Sequence, residues 1–183
     1  MAASGIITPY ATLSFAHLFT PRPRAEGGEP VYSCSLLFSK TDQQTPEYKA
    51  LQVACMNLAK ERFPGMQVRN LRLPFRDAAE KAGQYQGYEP GVMYVSPWSK
   101  LKPGIVDIRL QDVLDPAEVW AGQTVRAYLS PFAWTNSGKS GVSFGLQHIQ
   151  IVKKDMPRID GRLPANKAFS ALEDNADELE SIL

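Results

Sequence analysis

Basic and aromatic side chains alternate with apolar ones along several strand-like stretches, and this pattern has a chemical use. Successive side chains of a strand point to opposite faces. Over residues 124–134 that rule puts Arg126, Tyr128, Phe132 and Trp134 on one face and Val125, Ala127 and Leu129 on the other. Between residues 91 and 98, Tyr94, Ser96 and Trp98 share a face opposite Met93 and Val95, and over 105–110 Arg109 falls with Ile105 and Asp107 opposite Val106, Ile108 and Leu110. Lys100 and Lys102 lie between these stretches, while Arg72, Arg76 and Lys139 fall at strand ends and turns. Rings interleaved with Lys and Arg suit single-stranded nucleic acid, because exposed bases stack on rings at about 1–3 kcal/mol each while the cations neutralise phosphates. A duplex offers no free base faces. Tyr94, Trp98, Tyr128, Phe132 and Trp134 are the stacking candidates, with Tyr85 and Tyr88 as a loop flap. The competing use of the same rings is structural, with Phe132 and Trp134 covering a second hydrophobic layer and Tyr94 at a barrel rim.

Enzyme chemistries find less to work with. Ser137-Gly138-Lys139-Ser140 has the ending of a phosphate-binding loop, but the glycine required five residues before Gly138 is Ala133, and a strand follows where that motif needs a helix. Asp77, Asp107, Asp112 and Asp115 lack the spacing of a nuclease metal cluster. Cys34 and Cys55 sit in apolar contexts that raise a thiol pKa, and neither His17 nor His148 is close to them in sequence. Two cysteines and two histidines without paired spacing argue against zinc. No metal, no cofactor and no catalytic residue is expected.

These side chains need a sheet to hold them. The strand-like runs are 6–8 through 12–15, 31–38, 91–98, 105–110, 124–134 and 142–152. Residues 20–30, rich in proline and glycine, read as a connector that leaves Arg22 and Arg24 exposed. Thr45-Pro46-Glu47 is a helix start, and Tyr48, Leu51, Cys55, Leu58 and Ala59 mark the buried face of one long helix that ends before Pro64-Gly65. Residues 76–88 read as a long functional loop, Asp115-Pro116 opens a short helical turn, and residues 136–139 are a hairpin signal. Six strands with one main helix and no strand-helix alternation predict a mainly β protein, an antiparallel barrel or sandwich.

The chain has 183 residues, of which 44% are hydrophobic, 10% aromatic and 21% charged, the composition of a globular domain and not of a disordered or collagen-like chain. Apolar runs break well before the ~18 residues that cross a bilayer, and the N-terminus lacks the basic start and apolar run of a signal peptide, so no membrane contact and a cytoplasmic location are expected. The net charge of +1 conceals an asymmetry. Five of the 19 acids, Glu173, Asp174, Asp177, Glu178 and Glu180, fall in the last thirteen residues, which hold no base, so residues 1–170 carry +6 and the tail −5. A basic body favours a polyanion, and an acidic tail favours a basic partner or the body itself. Leu172, Ala176, Leu179 and Leu183 recur at near-helical spacing, which predicts an amphipathic helix that docks on either.

The sequence resembles the bacteriophage single-stranded DNA-binding proteins with an oligonucleotide/oligosaccharide-binding (OB) fold. The resemblance covers most of the body. It is carried by Ile7-Thr8-Pro9-Tyr10-Ala11-Thr12-Leu13-Ser14-Phe15, by Tyr32-Ser33-Cys34-Ser35-Leu36-Leu37-Phe38, by Pro74-Phe75-Arg76-Asp77, by Gly104-Ile105-Val106-Asp107, and by Trp120-Ala121-Gly122 with Val125-Arg126-Ala127. The most specific block runs from Phe132-Ala133-Trp134-Thr135-Asn136 to Val142-Ser143-Phe144-Gly145-Leu146. It implies an OB-fold-like antiparallel β-barrel over residues 1–160, followed by a linker and acidic tail over 161–183. It further implies a non-catalytic protein that coats strands exposed during phage replication or recombination in the infected bacterium, without a cofactor. Acidic tails of this kind recruit replication or recombination proteins, which assigns Glu173, Asp174, Asp177, Glu178, Glu180 and Leu183 to partner binding. A homodimer is left open, as is RNA in place of DNA, since stacking does not read the sugar. Two rivals from other classes are an all-β phage structural or assembly protein, its aromatic face a protein contact, and a metal-dependent nuclease. The site residues in the body rest on face alternation and charge alone.

Overall fold

The computed structural model describes residues 4–160 and 169–172. In chain order the strands are β1 (Ile6–Ile7), β2 (Ala11–Pro23) and β3 (Pro30–Phe38), then helix α1 (Pro46–Arg62), then β4 (Arg76–Asp77), β5 (Met93–Val95), β6 (Trp98–Ser99), β7 (Gly104–Val106), β8 (Thr124–Asn136) and β9 (Lys139–Lys153). The tail residues Glu173, Asp174, Asp177, Glu178, Glu180 and Leu183 lie outside the described residues.

The sheet closes on itself. β8 pairs with β2, β2 with β3, β3 with β6, β6 with β9, and β9 returns to β8. The result is the expected mainly β barrel with one main helix. Two of its contacts run parallel, β6 with β9 and β7 with β9, and the ring closes through the first of them at Trp98 and Gly145. Ring closure leaves short strands, β1, β4 and β7, at the ends of the sheet, which limits the edge open to pairing with other chains.

The inward alternation of β8 is as expected, with Val125, Ala127 and Leu129 at most 2% exposed. They meet Leu13, Leu36, Phe38, Val95, Phe144 and Ile149 in the main core. α1 plugs one end of the barrel, packing against β8, β9 and β1. Its start follows from Thr45, whose hydroxyl accepts from the Tyr48 N–H at 3.3 Å, and from Pro46 at the first position. Tyr48, Leu51, Cys55 and Ala59 are its buried residues, while Leu58 is only partly buried. A second, smaller apolar cluster of Leu37, Ala78, Tyr88 and Tyr94 covers the other face of β3.

Several elements depart from the periodicity. Residues 20–23 continue β2 and pair back onto β3, Arg22 opposite Val31 and Pro23 opposite Pro30, so the expected connector is largely a β-hairpin arm. Register shifts on either side of His17 bend β2 and let one strand serve two parts of the barrel. The predicted strand over 91–98 is divided at Ser96-Pro97, because proline cannot donate to a ladder. The predicted strand over 105–110 stops at Val106: Asp107 Oδ1 accepts from the N–H groups of Arg109 and Gln111 at 2.8 and 3.0 Å, and the chain turns back. Within residues 76–88, Asp77 Oδ1 accepts from the Ala79 N–H at 2.9 Å and caps a 3-10 turn over Ala78–Lys81. The two turns at 116–118 and 137–138 form as expected, the second with Ser137 at φ 50° and Gly138 at φ 76°, the backbone of a type I′ hairpin.

After β9 the chain runs back along residues 118–123. Gln123, fully buried, donates from Nε2 to the Glu118 and Lys154 carbonyls, and the Ile159 N–H donates to the Ala121 carbonyl at 3.0 Å. Gly122 sits at φ +113°, and a Cβ there would run into the Pro157 carbonyl oxygen. Gly122→Ala is therefore expected to destabilise the fold by roughly 1–3 kcal/mol, read as a lowered Tm. Burial pushes the Cys34 and Cys55 thiols up to about 12. Neither thiol should react with a thiol reagent at pH 8 until the chain is denatured. Their linkage contribution to stability is complete below the unfolded thiol pKa of about 8.5 and is lost as pH rises toward 12, which denaturant titrations across that range would read.

Candidate nucleic-acid interface

One cleft of about 580 Å³ gathers the groups that single-strand chemistry needs. Its walls are the β8–β9 hairpin arm, the tip of the β2–β3 arm and residues 72–81. Trp98 reaches it from β6, the strand that closes the barrel, and Phe132 stands edge-on to it, ring centres 5.5 Å apart at 87°. The Arg24 guanidinium lies 5.6 Å from the centre of the Trp98 ring, a cation–π contact that holds the arginine at the rim. Trp134 packs over Gly141. That glycine also receives the Arg72 backbone, whose N–H donates to the Ser140 carbonyl at 3.0 Å and whose carbonyl accepts from the Val142 N–H at 2.9 Å. A Cβ at residue 141 would meet both the indole and the Arg72 carbonyl, so the glycine sets how closely the wall approaches the floor. The indole Nε1 of Trp134 is buried without a hydrogen-bond partner among the described residues.

The cations of the cleft are Arg24, Arg72, Arg76 and Lys81, and among the described residues no carboxylate lines it. An acid beside the cleft is already engaged: Glu80 takes the Arg76 guanidinium at 2.9 Å and the Tyr94 hydroxyl at 2.6 Å. The hydrogen bond from Tyr94, then that from Arg76, holds its carboxyl below the usual carboxylate range. The Tyr94 phenol is pushed up, first by burial and then by that hydrogen bond. Lys81 is pushed down, first by burial and then by the neighbouring Arg76.

Of the residues expected at the site, Arg72, Arg76, Trp98, Phe132 and Trp134 line this cleft. Tyr94 contributes only an edge, because it is 2% exposed and packs at 5.3 Å against Tyr88. Tyr88 is equally buried, its hydroxyl donating to Ser14 Oγ at 3.3 Å. Both rings belong to the second apolar cluster and leave no face free for a base, a correction that follows from β3 being covered on both sides. Lys139 is exposed at the tip of the arm. Lys100 pairs with Glu29 at 3.0 Å, and Lys102 lies over the Phe19 ring at 5.1 Å, both outside the cleft.

Arg109, Arg126 and Tyr128 are displaced from it. Arg109 rides the turn after β7 and lines a different depression. The Arg126 Nε–H donates to Gln150 Oε1 at 2.6 Å, and Tyr128 stacks on His148 at 6.3 Å while its hydroxyl accepts from the Gly5 N–H. The cause is a bulge: Tyr128 pairs with His148 but Leu129 with Leu146, so Gln147 is extra on β9 and the added twist aims the two halves of the same face differently. Arg24 and Lys81 are the cations that alternation did not find. Arg24 stood in the proline-rich connector and Lys81 in the loop, and only their positive charge signalled them.

The same fold recurs among solved structures. The solved structure of the single-stranded DNA-binding protein from bacteriophage Enc34 in complex with ssDNA superposes with a TM-score of 0.71 at 20% identity, covering 84% of this chain and 89% of that one. A second structure of the same phage protein gives 0.68 at 19% identity over 91% and 90% of the two chains. The single-stranded DNA-binding protein gp2.5 of bacteriophage T7 gives 0.56 at 14% identity over 90% and 99%. No curated protein matches the chain in sequence. A family model described as "Enterobacter phage Enc34, ssDNA-binding protein" matches residues 4–180, a span that takes in every wall of the cleft, and the chain belongs to that family.

Proposed function

We propose that this chain binds single-stranded DNA in the cleft between the β8–β9 arm and residues 72–81, and coats strands exposed during phage replication or recombination. The observation that carries the reading is the lining itself: among the described residues it holds four cations and the rings of Trp98, Phe132 and Trp134, and no carboxylate. The bases stack on the rings, and the guanidinium and ammonium groups neutralise the phosphates. Binding is an equilibrium without a covalent step, and the protein is not an enzyme and uses no cofactor. It acts in the cytoplasm of the infected bacterium. Residues 1–160 form the binding domain, and residues 161–183 are a linker and acidic tail that docks replication or recombination proteins. A second copy of the chain is a further candidate partner.

Intrinsic fluorescence tests this directly, because two of the three tryptophans, Trp98 and Trp134, line the cleft. A single-stranded oligonucleotide should quench strongly, and duplex DNA of equal length weakly; an equal response to RNA would place the recognition on bases and phosphates alone. No response to any of the three, confirmed by gel shift, would overturn the proposal and move the aromatic face to protein contacts. Trp134→Ala, checked for folding by circular dichroism, should weaken binding by about 1–3 kcal/mol. Arg72→Ala removes an exposed side chain and should reduce the slope of log affinity against log salt by about 0.7, the value of one neutralised phosphate on a single strand.

A further inference from the structure

Lys81 does not end the cleft; it divides it from another. Its Nζ lies 5.0 Å from the ring centre of Tyr94 on the first cleft and 5.4 and 5.9 Å from those of Phe15 and Tyr85, which line a second cleft of about 620 Å³. With Tyr88 at 5.5 Å, four rings surround one ammonium group. The second cleft is built from like materials. Tyr85 is 47% exposed and stands edge-on to Phe15 at 4.9 Å, and Trp120 forms the far wall. Arg22 and His17 contribute to its polar side, and its one acid among the described residues, Asp160, is paired with Arg158 at 3.2 Å. Phe15 holds a left-handed backbone at φ 44°, a strained conformation for a bulky residue and one that clusters at ligand clamps.

We infer that the two clefts are one track, and that a bound single strand passes over Lys81 and continues onto Tyr85, Phe15 and Arg22. The inference rests on the single-strand reading above and extends it. A strand is the occupant that fits, because stacking platforms and cations recur on both sides of a shared ammonium group, and a polyanion gains from each of them in turn. A single Lys81 then serves the phosphate at the crossing, while Arg72 and Arg76 serve one side and Arg22 the other.

Oligonucleotide length separates the two readings. Oligothymidylates of about 4 and about 16 nucleotides bracket the site sizes of one OB barrel. The full chain should bind the longer one more tightly by more than statistics allow. The double variant Arg22→Ala, Tyr85→Ala, both positions exposed, should lose about 5- to 150-fold on the longer oligonucleotide and leave the short one unchanged. Trp134→Ala should weaken both. Bromodeoxyuridine placed along the longer strand should crosslink to Tyr85 at one end and to Trp98 or Trp134 at the other. Equal binding of the long strand by the double variant and the parent, or no crosslink to Tyr85 at any position, would overturn the single track. Failure of the parent chain to bind either length would overturn the single-strand reading beneath it.

Discussion

β9 is the strand on which the rest depends, since its fifteen residues must pair antiparallel with β8 along their whole length and parallel with β6 and β7. Backbone N–H and C=O groups removed from water must find partners, and β9 supplies them on both sides. Closing the ring fixes Trp98 beside Gly145, and so fixes a large ring at a point where neither a helix nor a loop could hold it as firmly. The arm that β8 and β9 extend beyond the barrel then carries Phe132 and Trp134 to meet it. Gly141 sets the last dimension of the cleft, because it admits the Arg72 backbone and the Trp134 ring to the same spot.

Placing four cations around one cleft raises a cost that the surroundings offset. Like charges repel, and burial disfavours the charged form of Lys81 and Arg24. Glu80 answers this from just outside the lining, where it holds Arg76 and at the same time accepts from Tyr94. The carboxylate thus orders the wall without putting negative charge inside the cleft. The rings around Lys81 do the same with their π faces. An acid in their place would compete with phosphate.

The aromatic residues divide by what lies behind them. Tyr88 and Tyr94 close the second apolar cluster and hydrogen-bond to Ser14 and Glu80, so their hydroxyls have partners and their faces are covered. Trp98, Phe132 and Trp134 have the barrel on one side only and stay partly exposed. Tyr85 stands at the surface of the neighbouring cleft. The same residue type therefore serves the core or the surface according to whether another element packs over it, which no count of tyrosines can reveal.

Local rules determined much of this protein. The capped helix at Thr45-Pro46, the alternation that buries Val125, Ala127 and Leu129, the hairpin turn at Ser137-Gly138 and the placement of Phe132 and Trp134 on the face of β8 away from that core all follow from residues near one another in the chain, where period and propensity act directly. The resemblance to phage single-strand binders was likewise legible, because its motifs lie in contiguous blocks. Tertiary structure decided the rest. A single extra residue, Gln147, separated Arg126 and Tyr128 from the cleft, since a bulge changes twist without changing the alternation read from β8 itself. Asp107 ended β7 by bonding its own turn, which removed Arg109. Arg24 and Lys81 came in from an arm and a loop whose positions depend on contacts with Trp98 and with Phe15 and Tyr94, all far from them in sequence or packed from another strand. Side-chain type and local spacing say which chemistry is available, but only the packing of distant segments decides which of those side chains meet.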